Sequence, residues 1–314
     1  MMNELLPATK PDCWICGSIR TALWKKRGIE RPLIPEDLQI TDHRYGVTLS
    51  LRKCGDCGFI FADDTELTEL TALYERLDDP EYATTQDTRL LQMQWLLGKM
   101  LESRPDARTL LDVGAGAGLL VAEARRLGLE AIGIEPSCSL VETAARVNGV
   151  EIIQGVFPQA KVAEQKFDVI SLVDVIEHVA KPVELLRQCR EALRPEGIIV
   201  LVTPDVGSLL ATVLGRRWWH FRLAHVGYFD RRSLTRATES AGLTPLRWFR
   251  AKWFFRVRYL AERTAEYLPV GWLNRLSRRV PVLDGLYQRV IPLNLRDSLV
   301  FFLTADKKAS SSDS

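Results

Sequence analysis

The chain has 314 residues, of which 46% are hydrophobic and 26% charged, which suits one large α/β domain with a small appendage. No stretch approaches the ~18 uninterrupted apolar residues that a membrane-spanning helix needs, which excludes one, and Met1–Lys10 holds no apolar signal region. The net charge of +2 excludes nothing by itself, but residues 1–215 carry 23 basic and 32 acidic groups (−9) whereas residues 216–297 carry 17 and 6 (+11). That basic third also holds Trp218, Trp219, Trp248, Trp253 and Trp272, five of the eight tryptophans. Basic residues among aromatics suit a membrane surface or an anionic partner. A solvated basic face over an ordinary aromatic core is the plainer alternative. The expected location is the cytoplasm, with peripheral contact to the inner face of the membrane.

Residues 1–63 read as a zinc-ribbon module. Four of the six cysteines form two pairs, Cys13-x-x-Cys16 and Cys54-x-x-Cys57. Two intervening residues let one tight turn aim both sulfurs at a single ion, and two such turns make the closed four-cysteine set of structural zinc. Gly17 and Gly58 follow the pairs and supply open backbone. A closed site leaves no position for a reacting water, so zinc is expected to be structural. Tyr45–Leu51 alternates like a strand leading into the second pair, and His43 falls between the pairs. Cys138 and Cys189 are isolated and read as packing thiols. Residues 64–107 read as a helical lead-in.

The central signal begins at residue 109. A short apolar run, Thr109–Val113, enters a loop with Gly114, Gly116 and Gly118, and a helical pattern follows from Leu119 to Leu127. Strand, glycine turn and helix form the first unit of a doubly wound sheet. The loop is G-x-G-x-G; a dinucleotide fingerprint requires a third glycine where Leu119 stands. Asp112, two residues before the first glycine, would repel a pyrophosphate, but it attracts the ammonium and sulfonium of S-adenosylmethionine. A second strand, Ala131–Ile134, ends at Glu135, an acid placed to accept from both ribose hydroxyls.

These residues, with the rest of 108–243, resemble the class I S-adenosylmethionine-dependent methyltransferases, and more narrowly the ubiquinone-biosynthesis type. Asp112–Gly118 resembles the first motif and Glu135 the ribose-binding acid. Phe167–Val179 resembles the fourth strand with its loop, Leu193–Val202 the turn into the fifth strand, and Phe229–Leu243 the late helix before the sixth. The resemblance implies cofactor contacts from Asp112, Gly114, Ala115, Gly116, Gly118, Glu135 and Pro136. It adds Val173 and Asp174 at the end of the fourth strand. Many relatives carry an acid after the glycine of the third strand; here Gly155 precedes Val156, so backbone groups at Val156 and Phe157 are expected to take its place. The implied fold is a Rossmann-like α/β domain over 108–306, with an antiparallel last strand near Ser298–Thr304. Ahead of that strand lies an insertion, 256–296, expected to form amphipathic helices broken by Pro269, Pro281 and Pro292. Residues 307–314 read as a disordered tail.

Methyl transfer from a sulfonium needs an aligned nucleophile, and a hydroxyl nucleophile also needs a base. Asp174, Glu177 and His178 fall just beyond the fourth strand, where ligands of open α/β sheets bind. His178 is the first candidate base, on the strength of the ordinary histidine titration range. His225 is the second, on a lid that also holds His220. A capping or orienting role for Glu177 and His178 is the alternative. Asp174-x-x-Glu177-His178 also resembles the acid-x-x-Glu-His motif of ubiquinone-biosynthesis and small-RNA 2′-O-methyltransferases, which implies Mg2+ as a further cofactor. No Asn/Asp-Pro-Pro-Tyr motif follows the fourth strand, and charge over residues 1–63 is nearly balanced. Both features disfavour a nucleic-acid acceptor. The reading is an O-methyltransferase acting on a small-molecule or lipid- or glycan-linked acceptor. An rRNA or tRNA methyltransferase and a non-catalytic cofactor-binding scaffold stand as the alternatives.

Overall fold

The computed structural model describes residues 12–39, 44–63, 67, 70–79, 86–159, 162, 164–267 and 285–306. His43, residues 268–284 of the insertion (Pro269 and Pro281 among them) and the tail 307–314 lie outside them.

The elements run β1 (Thr21–Lys25), β2 (Leu51–Cys54), β3 (Ile60–Ala62), α1 (Leu70–Glu75), α2 (Gln86–Ser103), β4 (Thr109–Val113), α3 (Leu119–Arg126), β5 (Glu130–Glu135), α4 (Cys138–Asn148), β6 (Ile153–Gln154) and β7 (Phe167–Val173). They continue with α5 (Pro182–Glu191), β8 (Leu193–Pro204), α6 (Leu209–Leu214), β9 (Gly227–Tyr228), α7 (Arg231–Ser240), β10 (Leu243–Arg250), β11 (Trp253–Arg256), α8 (Val257–Tyr267), β12 (Val290–Leu293) and β13 (Ser298–Ala305).

Seven strands form the main sheet in the order β10-β13-β8-β7-β4-β5-β6. β13 runs antiparallel to both of its neighbours, while β7, β4, β5 and β6 are parallel. Strand residues alternate between two cores, as a sheet covered on both faces demands. Leu111, Ile170, Leu201 and Phe301 face a core shared with α5 and α7. Leu110, Val169, Val200 and Phe302 face one shared with α2 and α3. This is the doubly wound sheet that the sequence predicts, and it brings the C-terminal ends of β4, β5, β7 and β8 to one edge.

A second sheet, β1-β2-β3-β9, is built mostly from the cysteine module. Its fourth strand comes from residues 227–228, more than 160 positions away: Ile60 pairs with Tyr228 and Phe61 with Gly227. Two expectations are corrected here. The strand before the second cysteine pair is Leu51–Cys54, not Tyr45–Leu51; residues 45–50 form turns and bends, and Gly46 sits at φ +82° with the Arg216 carbonyl against it. The insertion is also not wholly helical. It opens with α8, but Val290–Leu293 is a strand paired with β11 in a two-stranded ribbon, with Pro292 opposite Phe254. Val290 and Ile291 favour strand geometry, and proline is tolerated at a ribbon edge.

Candidate active site

A cavity of about 1230 Å³ opens at the C-terminal ends of the parallel strands. Every predicted site residue outside the cysteine module lines it except Gly118. Gly118 lies behind the loop, at φ +73°, where an added Cβ would meet Val150 at 2.7 Å and Ala144 at 3.2 Å. Its role is to let the loop pack on the structure beneath. Gly114 is constrained the same way, at φ +73° with Val175 2.5 Å from an added Cβ.

The loop is held to the next strand by its own hydrogen bonds. Gly114 N and Ala115 N donate to the Ile134 carbonyl. Glu135 accepts from Gly116 N through Oε2 at 2.9 Å and from Ser137 N through Oε1 at 3.0 Å. Burial pushes the Glu135 carboxyl up, and these two backbone donors oppose that. Asp112 is paired across the sheet with Ser171, whose hydroxyl donates to Oδ1 at 2.6 Å. Burial raises Asp112 to about 7, Ser171 works against the shift, and nearby Glu135 adds to it. A positively charged group beside Asp112 would restore its ionised form. Pro136, Val156 and Phe157 close the same side of the cavity. A carboxylate pair, backbone amides and no cationic side chain at the loop suit a cationic nucleoside ligand, the chemistry of S-adenosylmethionine.

The opposite side gathers buried titratable groups. Asp174 ends the fourth strand of the parallel set in the left-handed region, at φ +53°, a conformation uncommon outside glycine and found at functional sites. Burial raises it to about 6, while His220 and Arg89 pull it down. Asp297 faces His220 at 3.6 Å. Glu177 is buried; Oε2 accepts from Thr203 at 2.9 Å, while Oε1 has no partner among the described residues. Burial and Asp174 together hold its carboxyl well above the usual range.

His178 Nδ1 lies 2.8 Å from the Ala224 carbonyl and 2.5 Å from the Tyr74 hydroxyl. That hydroxyl is itself 3.2 Å from the same carbonyl. A carbonyl only accepts, so the ring proton sits on Nδ1 and Nε2 keeps its lone pair. Burial lowers His178 to about 4, Ala224 resists, and Arg222 lowers it further. The expectation of an ordinary histidine pKa is therefore corrected: the imidazole is neutral near pH 7, but a weaker base than a solvated one. His225 is buried and pushed down by burial and by His178, and its Nδ1 also lacks a partner among the described residues.

Glu177, His178 and His225 each bring one ligating atom within 4.8 Å of the others. Asp174 of the acid-x-x-Glu-His run is not in that group. The cluster offers two imidazole nitrogens and one carboxylate, a poor match for Mg2+, which prefers oxygen.

Sequence reasoning missed Tyr74, Thr203, Arg89 and Arg222, which all reach the cavity or its cluster. Tyr74 and Thr203 belong to no motif and meet Glu177 and His178 only through the fold. The roof comes from the insertion: Phe255 and Tyr259 stack at 5.8 Å, Leu260 faces the cavity, and Arg256 pairs with Asp87 of α2 at 2.5 Å. The described start of α8 thus turns apolar residues onto the cavity.

In the cysteine module, Cys13 and Cys57 sulfurs lie 3.5 Å apart and Cys16 and Cys54 3.6 Å apart. All four sulfurs fall within 4.8 Å. Thiolates around one tetrahedral zinc at ~2.3 Å would sit roughly 3.8 Å apart, so the cluster fits that ion. The Cys57 thiol lowers Cys13 to about 5, which leaves a ready thiolate in the set.

The family described as "Methyltransferase domain" matches residues 86–247, just over half of the chain. The ubiquinone biosynthesis O-methyltransferase of Rhodopseudomonas palustris (strain TIE-1) is 34% identical over 122 residues, 38% of this chain and 44% of that protein. That of Cereibacter sphaeroides is 34% identical over 116 residues, 35% and 47%. The chain spans less than half the length of these curated relatives. Among solved structures, an S-adenosylmethionine-dependent methyltransferase from Archaeoglobus fulgidus shares 15% identity over 72% of this chain and 99% of its own, with a TM-score of 0.48. The family match over residues 86–247 shows that the chain belongs to the methyltransferase-domain family.

Proposed function

We propose that this protein transfers the methyl group of S-adenosylmethionine to an oxygen of a small-molecule or lipid- or glycan-linked acceptor. The observation that carries this reading is His178, which lines the cavity: its proton is committed to the Ala224 carbonyl at 2.8 Å, so Nε2 is left to accept one. When bound, S-adenosylmethionine supplies an electrophilic methyl on a cationic sulfonium. That positive charge favours the ionised forms of Asp112 and Asp174. In the transfer, His178 Nε2 would take the proton of the acceptor hydroxyl. The relatives named as O-methyltransferases support oxygen as the atom. Incubation of the protein with extract and methyl-labelled cofactor tests the proposal. A labelled methyl ether in the small-molecule or lipid fraction is expected; label in RNA, or on carbon or nitrogen, would overturn it.

A divalent ion held by Glu177, His178 and His225 is a second reading of the same cluster, favoured by two of its buried atoms, Glu177 Oε1 and His225 Nδ1, which have no partner among the described residues. In that case a chelator should stop turnover while the metal of the four-cysteine site is retained. For the cysteine module the reading is structural zinc: one ion per chain on metal analysis, released in Cys54→Ser with loss of order in the module. Peripheral membrane contact through 256–296, at the cytoplasmic face, belongs to the lipid-linked version of the proposal. Co-sedimentation with anionic vesicles, weakened by salt, supports it; protein that stays in solution at low salt rules it out.

A further inference from the structure

We infer that the N-terminal cysteine module positions the proton-handling cluster, with strand β3 holding in place the segment that fixes His178. The functional meaning rests on the reading of His178 as proton acceptor; the contacts do not.

Three backbone links carry the argument. Val226 N donates to the Glu177 carbonyl at 2.8 Å. The Val226 carbonyl accepts from Ala62 N, the last residue of β3, also at 2.8 Å. Ile60 and Phe61 then pair with Tyr228 and Gly227. One residue, Val226, is thus clamped between the loop of Glu177 and His178 on one side and the cysteine module on the other. Immediately before it stand His225, a member of the cluster, and Ala224, whose carbonyl sets the His178 tautomer. The returning chain is closed by the Tyr228 hydroxyl, which donates to the Arg222 carbonyl at 3.2 Å.

β3 is a rigid support. The second knuckle ties it down, with Cys54 N donating to the Phe59 carbonyl and Gly58 N to the Cys54 carbonyl. Phe59 is fully buried, stacks on Phe61 at 5.6 Å and meets Phe229 at 4.8 Å. Gly227 fits because it has no side chain: an added Cβ would lie 3.2 Å from the Phe59 ring and 3.4 Å from Phe229. Apart from Tyr74 of α1, the residues that touch the cluster thus come from the methyltransferase domain, while the module supplies the wall that registers them. Phe59 and Gly227 are positioning residues. Neither lines the cavity.

The test is to wedge the two strands apart and read the imidazole. Gly227→Val places a branched side chain against Phe59 and should shift β9. Nitrogen NMR of the histidine rings should show His178 as the Nδ1–H tautomer in the parent and a mixture or the Nε2–H tautomer in the variant. kcat should fall by about tenfold to a hundredfold, as expected for a displaced catalytic group. Cofactor affinity should hold, because the glycine loop and Glu135 touch neither strand. Phe59→Leu, a gentler loosening, should move both readouts in the same direction and serves if Gly227→Val does not fold. Unchanged tautomer and kcat in a folded variant would overturn the inference. If the tautomer shifts but His178→Ala keeps full activity, the positioning stands and the base assignment falls.

Discussion

The two halves of the cavity are built by opposite rules. On the glycine-loop side, the polar residues come from one continuous stretch, Asp112 to Ser137, with Val156 and Phe157 closing it, and their polar groups are met close by: Glu135 accepts from Gly116 and Ser137, and Asp112 accepts from Ser171 one strand away. On the proton-handling side, Tyr74, Glu177, His178, Thr203, Ala224 and His225 arrive from separate segments. Two of their buried atoms have no partner among the described residues, and burial moves every titrating group toward neutrality. The first half is a socket completed in advance. The second holds two buried polar atoms with no partner among the described residues, a pattern that costs stability and clusters at sites of chemistry.

The sharpest way to break this contrast is to damage each half and read the other. Gly116→Val should have the largest effect. Gly116 sits at φ +55°, and its amide must reach Glu135, so a β-branched residue there strains the loop. Cofactor binding measured by calorimetry should become undetectable while the fold is retained. Affinity within severalfold of the parent would show that the loop is not the socket. His178→Ala should come next, cutting kcat by roughly a hundredfold or more and leaving cofactor affinity almost unchanged, since the socket is satisfied without it. Turnover near the parent level would return His178 to a purely structural role.

The same contrast explains what was legible in the sequence. The α/β alternation, the glycine loop, Glu135 and the two cysteine pairs could be read because their chemistry lies within a few residues and obeys fixed spacing. Glu177 and His178 could be placed, because ligands sit beyond the strand ends. Their electrostatic state could not: the fall of His178 to about 4 depends on burial beneath α1 and the lid. Tyr74 carried no local signal, since its hydroxyl meets His178 across 104 residues of sequence. The β3–β9 pairing was hidden for the same reason: strands of three and two residues show no periodicity, and only the folded chain brings Ala62 to Val226. In the insertion, a proline read as a helix breaker marks a ribbon edge, because Pro292 faces Phe254 across a strand pair.

The smallest predicted effect is the most specific to the socket. Asp112 is raised to about 7, first by burial, so below that pH the carboxyl is protonated and neutral. A cationic ligand prefers the ionised form. Its binding should therefore weaken by about tenfold for each pH unit below 7 and level off above it. The sign for folding is the reverse: the folded chain holds this proton up to a higher pH than the unfolded chain does. The group's contribution to stability therefore falls as pH rises from about 4 to about 7. Asp112→Asn keeps the hydrogen-bonding shape but cannot ionise. It should flatten the pH dependence of cofactor affinity, bind more weakly than the parent above pH 7, and approach it at pH 5. Glu135 is also raised, and any slope that survives in the Asn variant measures its share. If the variant keeps the parent's full slope, the carboxylate that senses the cofactor's charge is Glu135, and Asp112 serves only to tie β4 to Ser171.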